Sequence, residues 1–191
     1  DGELVDTQTL EISITAVNDA PVLASISDVS FDEDGSGSTS LSGSDVDGDQ
    51  LTFSIIGGSD ITATLDENNV SFSAPTNYNG NETFSVSVSD GEYEDSQTIT
   101  VTVNAVNDAP TANTATGTTA EDQSVVVTLS GSDIDGDALT FSITSDATDG
   151  SVSLDGSFAT YTPNTDFNGS DSFTFSVSDG SLSDEASVTI A

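Results

Sequence analysis

A tetrapeptide recurs in this chain at a fixed distance: Asn18-Asp19-Ala20-Pro21 returns as Asn107-Asp108-Ala109-Pro110, 89 residues later. Asp1-Gly2, Asp90-Gly91 and Asp179-Gly180 keep the same step. A fixed period of this kind marks an array of like domains. A second marker, Ser44-Asp45-Val46-Asp47-Gly48-Asp49, returns as Ser132-Asp133-Ile134-Asp135-Gly136-Asp137 after 88 residues, so one residue is lost between these copies. The expected division is therefore a last strand and joint of a preceding repeat over 1–19, one repeat over 20–108, and a second over 109–191 with its last strand truncated.

The periodicity within each repeat is that of strands. Ile99, Val101 and Val103 alternate with threonines, and Leu10, Ile12 and Ile14 alternate with Glu11, Ser13 and Thr15. Alternation over β-branched residues predicts half-buried antiparallel strands. In the first repeat the spacing predicts strands over 22–31, 38–42, 50–56, 61–66, 69–73, 82–89 and 96–104, separated by Gly, Asn, Asp and Ser clusters. No helical period is present. Seven short strands in under 100 residues predict an all-β fold, here two tandem immunoglobulin-like, seven-stranded Greek-key sandwiches. Inward candidates are Leu51, Phe53, Ile55, Phe84, Val86, Val88, Ile99 and Val101, with Leu139, Phe141, Ile143, Phe173, Phe175, Val177, Val188 and Ile190 in the second copy. Tyr78-Asn79-Gly80 and Phe167-Asn168-Gly169 are expected to be corners, each aromatic packing there and each Asn-Gly supplying a positive φ. The terminal strand, stopping at Ala191, is expected to fray.

Charge narrows the partners. The chain carries 34 carboxylates with no Lys, Arg or His, a formal charge of -34. No acidic cluster can find a side-chain cation, so each must be screened by water and salt or neutralised by metal. Nothing in the sequence could displace counterions from phosphates, which excludes nucleic acid, and anionic membrane surfaces fall with it. No apolar run reaches spanning length. Cysteine is absent, so neither disulfides nor thiolate metal sites are available.

The acidic runs Asp45/Asp47/Asp49 and Asp133/Asp135/Asp137 set alternate carboxylates around a Gly bend. Several carboxylates converging on one point suit a hard cation, and calcium, with six to eight irregular oxygen ligands, fits better than octahedral magnesium. Zinc lacks its usual His and Cys ligands. The run is not an EF-hand: its Gly stands fourth rather than sixth, and its twelfth position is Ile56 or Thr144 instead of Glu. The competing reading is a solvated Asp-Gly turn. Asn18, Asp19, Asn107 and Asp108 at the joints also have two readings, as metal ligands and as an Asn-Asp turn before proline; the two are compatible.

Gly-Ser-Asp-x-Asp-Gly-Asp-x-Leu-Thr-Phe-Ser-Ile, Val-Ser-Asp-Gly and Val-Asn-Asp-Ala-Pro resemble the cadherin-like tandem repeats of large bacterial (RTX/VCBS-type) surface adhesins. The resemblance covers nearly the whole chain. It implies calcium between successive domains, held by an acidic residue of the upper domain, the Asn-Asp joint, and an Asp-x-Asp pair plus a later Asp of the lower one. On that pattern Glu33 or Asp34 would join Asn107, Asp108, Asp133, Asp135 and Asp179 at the central joint. Asn18, Asp19, Asp45, Asp47 and Asp90 would serve the joint upstream, and Glu121 and Asp122 the one downstream. The chain departs from the pattern at Ala105, where cadherin joints carry a further acidic residue, and at Pro75-Thr76-Asn77 and Asn164-Thr165-Asp166, which stand where cadherins have an Asp-Arg-Glu ligand segment. Fewer anionic ligands imply fewer or weaker ions.

The resemblance thus implies a calcium-rigidified extender or adhesion segment of an extracellular, cell-surface protein, its partners being neighbouring repeats of the same chain and cell-surface or polysaccharide ligands. The alternative is a calcium-dependent carbohydrate-binding module. Sugar sites stack a ring on an exposed aromatic; the chain has no Trp, Tyr161 is expected to be buried, and Tyr93 is the best exposed candidate. Outward threonines such as Thr98, Thr100 and Thr102 also suit ice binding, but any half-exposed strand favours them. Without His, Cys, Lys or Arg most acid-base and nucleophilic chemistry is unavailable, and no enzyme is expected.

Overall fold

The computed structural model describes Gly2 and residues 6–191; the turn expected at Asp1-Gly2-Glu3 lies largely outside them. The chain forms two compact units, Asp1–Ala105 and Val106–Ala191. Asn107 and Asp108 thus open the second unit rather than close the first. Every element among the described residues is a strand.

In the first unit the strands are β1 (Val22–Leu23), β2 (Val29–Asp32), β3 (Ser36–Ser40), β4 (Gly43–Ser44), β5 (Thr52–Gly57), β6 (Thr62–Asp66), β7 (Asn69–Ser73), β8 (Gly80–Ser89) and β9 (Glu94–Asn104). One sheet has the order β2-β9-β8-β5, and a second the order β3-β7-β6. The second unit repeats the plan with β10 (Thr111–Asn113), β11 (Ala115–Gly117), β12 (Val125–Thr128), β13 (Ser130–Ser132), β14 (Thr140–Ser145), β15 (Gly150–Asp155), β16 (Phe158–Pro163), β17 (Asp171–Ser178) and β18 (Ser183–Ile190). Its sheets run β11-β18-β17-β14 and β12-β16-β15.

The expected seven strands become nine segments because the first one changes partners. Val22–Leu23 pairs antiparallel with Gly43–Ser44, and five residues later Val29–Asp32 pairs parallel with Val101–Asn104 of β9. The single strand expected over 22–31 is therefore two; that over 38–42 is shifted to Ser36–Ser40, and the short β4 that receives β1 lies just beyond it. Alternation in the sequence reports which side chains face inward; it is blind to a change of hydrogen-bonding partner.

Each unit closes its own core. Phe72 and Phe84 meet edge to face at 5.3 Å, an arrangement favoured by the ring quadrupoles, amid buried Leu41, Ile61, Val86, Val88, Ile99 and Val101. Leu51, Phe53 and Ile55 pack half-buried against them. The second core holds Tyr161, Phe173, Phe175, Val177, Val188 and Ile190, with Leu139, Phe141 and Ile143 alongside. Terminal β18 does not fray: it pairs with β17 through Ile190, and Ala191 exchanges backbone hydrogen bonds with Gly117 and Thr119. At the corners Gly80 and Gly169 have positive φ, and Tyr78 packs on the core. Asn77 and Asp166 add a second left-handed residue just before each aromatic, their N–H groups captured by the Asp34 and Asp122 carboxylates.

With no cation to pair with, carboxylates inside this frame turn to main-chain N–H groups. Glu82 accepts from the amides of Ser59, Asp60 and Ile61 and from the Ser59 hydroxyl, clasping the loop between β5 and β6. Asp171, 89 residues on, does the same for the loop after β14, accepting from Thr148 and Asp149 and from the Tyr161 hydroxyl. The Ser59 hydroxyl, with the three amides, holds the Glu82 carboxyl down to about 2 from an ordinary 4.5. A depressed carboxyl stabilises the fold above its unfolded value, and that contribution is lost as pH falls through the folded one. Glu82→Gln should therefore lower the melting midpoint of the first unit by a few degrees at pH 7, with the gap from wild type closing between pH 4.5 and about 2. Melting curves across that range check it; a gap independent of pH would show the clasp to be steric rather than ionic.

Candidate metal centre

Two aspartate loops share one construction. After β4, Asp45 Oδ1 accepts hydrogen bonds from the amides of Asp47, Gly48 and Asp49 at 2.8, 3.0 and 3.3 Å. After β13, Asp133 Oδ1 accepts from Asp135 at 2.9 Å and Asp137 at 3.3 Å. Gly48 and Gly136 both sit at φ +81°, a left-handed conformation that strains any side-chain-bearing residue. The bend gathers the acids: Asp45, Asp47 and Asp49 each place a carboxylate oxygen within 4.8 Å of the others, as do Asp133, Asp135 and Asp137.

The Asn-Asp joint is tied to these loops within the same unit. Asp19 donates its amide to Asp47 Oδ2 at 2.8 Å, and Asp108 donates to Asp135 Oδ2 at 2.8 Å. Asn18 Nδ2 reaches Asp90 Oδ2 at 3.0 Å, and Asn107 Nδ2 reaches Asp179 Oδ2 at 2.8 Å. The other oxygen of Asp90 accepts from Glu92 and Tyr93, and that of Asp179 from Ser181 and Leu182. These donors hold both carboxyls below the usual range, Tyr93 N–H leading at Asp90 and the Asn107 amide at Asp179. Hydrogen bonds thus link Asn18, Asp19, Asp45, Asp47, Asp49 and Asp90 in one unit, and Asn107, Asp108, Asp133, Asp135, Asp137 and Asp179 in the other.

Two corresponding atoms of the triads stand outside this network. Asp45 Oδ2 and Asp133 Oδ2 are buried and accept no hydrogen bond. A buried carboxylate oxygen without a donor is costly, and the like charges of its two neighbours add to that cost. The chain contains no side-chain cation that could answer it. The donor set, all oxygen and mostly anionic, fits a hard divalent ion, with Asp45 or Asp133 supplying the orphaned oxygen.

Glu33 and Asp34 directly follow β2 and belong to neither triad. Glu33 is buried, its amide donating to Asn104 O at 2.9 Å. Asp34 sits at φ +59° and caps Asn77. Tyr93 is exposed, as expected of it, and Tyr161 is buried. Sequence reasoning missed two things here: that the amides of Asp19 and Asp108 bind the aspartate loop, and that Glu82 and Asp171 are loop clasps. The 89-residue step between the clasps was a usable signal.

The profile of a family described as "Bacterial Ig domain" matches residues 18–103 and 107–191. Among solved structures, two forms of human protocadherin-24 EC1-2 are similar. One has a TM-score of 0.57 at 18% identity, covering 91% of this chain and 100% of that one. The other has 0.50 at 16%, covering 92% and 99%. Part of an endo-fucoidan hydrolase of glycoside hydrolase family 107 also aligns, at 24% identity and a TM-score of 0.38, over 89% of this chain; the chain spans 28% of that enzyme's length. No curated protein sequence matches.

Asp133→Asn tests the orphaned oxygen, because asparagine keeps an Oδ1 for the amides of Asp135 and Asp137 and replaces the charged Oδ2 with a neutral NH2 group that cannot ligate a cation. Calorimetric calcium titration should show the second unit's site weakened at least about tenfold and the first unit's unchanged. Asp155→Asn, at the end of β15 and outside the triad, should alter neither.

Proposed function

Given that this chain belongs to the bacterial Ig domain family, we propose that its two modules are a calcium-stiffened extender segment of a bacterial cell-surface adhesin, working outside the cell in attachment. The observation that carries this reading is the orphaned, buried oxygen of Asp45 and Asp133 within each aspartate triad. The sandwich with its tandem repetition supplies the extender; the ion supplies its stiffness.

The ion's action follows from what the triads hold. The chain enters each module through Asn-Asp, and that dipeptide is bound to Asp47 and Asp90 in one module and to Asp135 and Asp179 in the other. Bound calcium supplies compensating charge to the loop, so the entry dipeptide stays fixed to its own sandwich. Without it, carboxylates within about 8 Å repel each other at physiological salt and the entry segment loosens. In this reading the remaining ligands come from the module before, Glu33 or Asp34 in the case of the second unit. With an ion affinity of about 0.1 to 1 mM, as extracellular calcium modules have, a tenfold excess adds about 1.4 kcal/mol per site. Set against about 5 to 10 kcal/mol for a small sandwich, that stabilises without being a condition of folding.

A second reading has one observation in its favour. Tyr93 is exposed in the loop whose conformation Asp90 fixes through its amide, so a sugar ring stacked there would be sensitive to calcium. It stands below the first because one tyrosine offers a single stacking face.

Small-angle scattering along a calcium chelation series separates the readings. The extender predicts a shorter maximum dimension and a lower melting midpoint on chelation, with both restored by calcium. Unchanged values of both would defeat it. A polysaccharide pull-down that depends on calcium and is lost in Tyr93→Ala would favour the second reading.

A further inference from the structure

The small sheets β3-β7-β6 and β12-β16-β15 share one register. Ser40 and Asp66 flank Asn69 in the first unit as Thr128 and Asp155 flank Phe158 in the second. Their outward faces differ around the hairpin. In the first unit these positions are polar: Ser38, Ser40, Glu67 at the tip, and Asn69, which accepts the Ser40 hydroxyl at 2.8 Å. In the second they are Val126, Thr128, Gly156 and Phe158. Phe158 is 54% exposed and Val126 59%. The two occupy diagonal positions on neighbouring strands of one face, a spacing that an aromatic side chain can span.

Folding does not require them there. Valine and phenylalanine are strong strand formers, yet the first unit's sheet forms with Ser38 and Asn69 in their places. The second core is closed by the inward Val127, Ala159 and Tyr161 instead. Around Phe158 the outward face holds the hydroxyls of Ser153 and Thr160, and Asp155 stands directly across from it. Gly156, at φ +59° with open space where a Cβ would stand, leaves the hairpin tip bare. At that tip an open cleft begins, lined also by Leu139, Phe141 and Leu154.

We infer that the β15–β16 hairpin of the second unit binds a neutral polysaccharide. One sugar ring lays its C–H face on Phe158 and Val126, its hydroxyls meet Asp155, Ser153 and Thr160, and the chain continues over Gly156 toward the cleft. Three features fix the occupant. A pyranose has an apolar face and a polar edge, and an aromatic face bordered by hydroxyls and a carboxylate matches both. Uronic or sulfated sugars would bring like charge to Asp155 in a chain of formal charge -34, and so would a second copy of this chain. A two-residue apolar patch is also far below the roughly 800 Å² per partner of a stable protein interface. The site is separate from Tyr93, which lies in the first unit, and it uses no calcium, so its failure would leave the extender reading untouched.

Nuclear magnetic resonance titration of the whole chain tests this, with β-1,4-linked hexasaccharides of glucose, mannose and galactose as neutral probes and oligogalacturonate as the anionic one. At least one neutral probe should shift the Phe158 ring and the amides of 153–160, equally in calcium and in chelator, while those of 64–71 in the first unit stay unmoved. Phe158→Ala should weaken binding of that probe by about tenfold or more, with the core resonances of Phe173 and Phe175 unchanged as a check on folding. Val126→Ser should weaken it as well, and Tyr93→Ala should leave it intact. No shift at the hairpin with any neutral probe overturns the inference. So does an equal response to oligogalacturonate, or hairpin shifts that follow protein concentration without sugar, which would make a second copy the partner.

Discussion

Thirty-four carboxylates with no side-chain cation leave only main-chain N–H groups, side-chain amides and hydroxyls, water and bound ions to meet the negative charge, and the structure is arranged around that shortage. Glu82 and Asp171 take loop amides. Asp34 and Asp122 take the amides of left-handed Asn77 and Asp166. Asp45 and Asp133 take the amides of their own turn. Acids that elsewhere pair with lysine or arginine here define loop conformation, and at Glu82 the donated hydrogen bonds hold the carboxyl ionised without a counter-charge nearby. At Asp45 Oδ2 and Asp133 Oδ2 no donor is supplied, unlike at the equally acidic clasps, whose oxygens are met by amides and hydroxyls.

The same shortage governs the sheets. Like charges directly opposed across strands are destabilising, and no basic residue could alternate with acids to relieve them. Outward positions are accordingly neutral: Thr83 faces Thr100, Ser85 faces Thr98, Ser54 faces Ser87, and Ser172 faces Thr189. Serine and threonine keep the outer face wet without adding charge. The threonine rows that suggest an ice-binding surface are explained by this constraint alone. Most of the acids fall in loops or near strand ends instead.

Much of the fold was legible because strand alternation and the 89-residue step are properties of order in the chain. Every residue expected to face inward is buried or half-buried, from Leu51 and Phe53 to Val188 and Ile190. The partner change between β1 and β2 was not legible, since Leu23, Ile26 and Phe31 are all buried whichever sheet receives them. At the candidate site the triads could be read from Asp-x-Asp-Gly-Asp, because a glycine bend converges alternate side chains. The amide bonds from Asp19 to Asp47 and from Asp108 to Asp135 could not, because a backbone donor leaves no mark on residue identity. Sequence shows which acids cluster; only the fold shows which of their oxygens lack a donor.

That distinction bears on how an array of such modules can be stiff. Each set of head residues, from the Asn-Asp dipeptide to the later aspartate, is held inside a single unit by its own hydrogen bonds. If these residues hold an ion as proposed, their geometry is ordered before it arrives, which lowers the conformational entropy that binding must overcome. In the proposed reading, what an ion adds is charge compensation at the donor-less oxygen of Asp45 or Asp133 and permanence for the entry dipeptide. A site assembled wholly from two mobile modules would have to order both at once. One whose carboxylates are already gathered within a single module has less to order, so in the proposed reading even the weak affinity implied by few anionic ligands is enough.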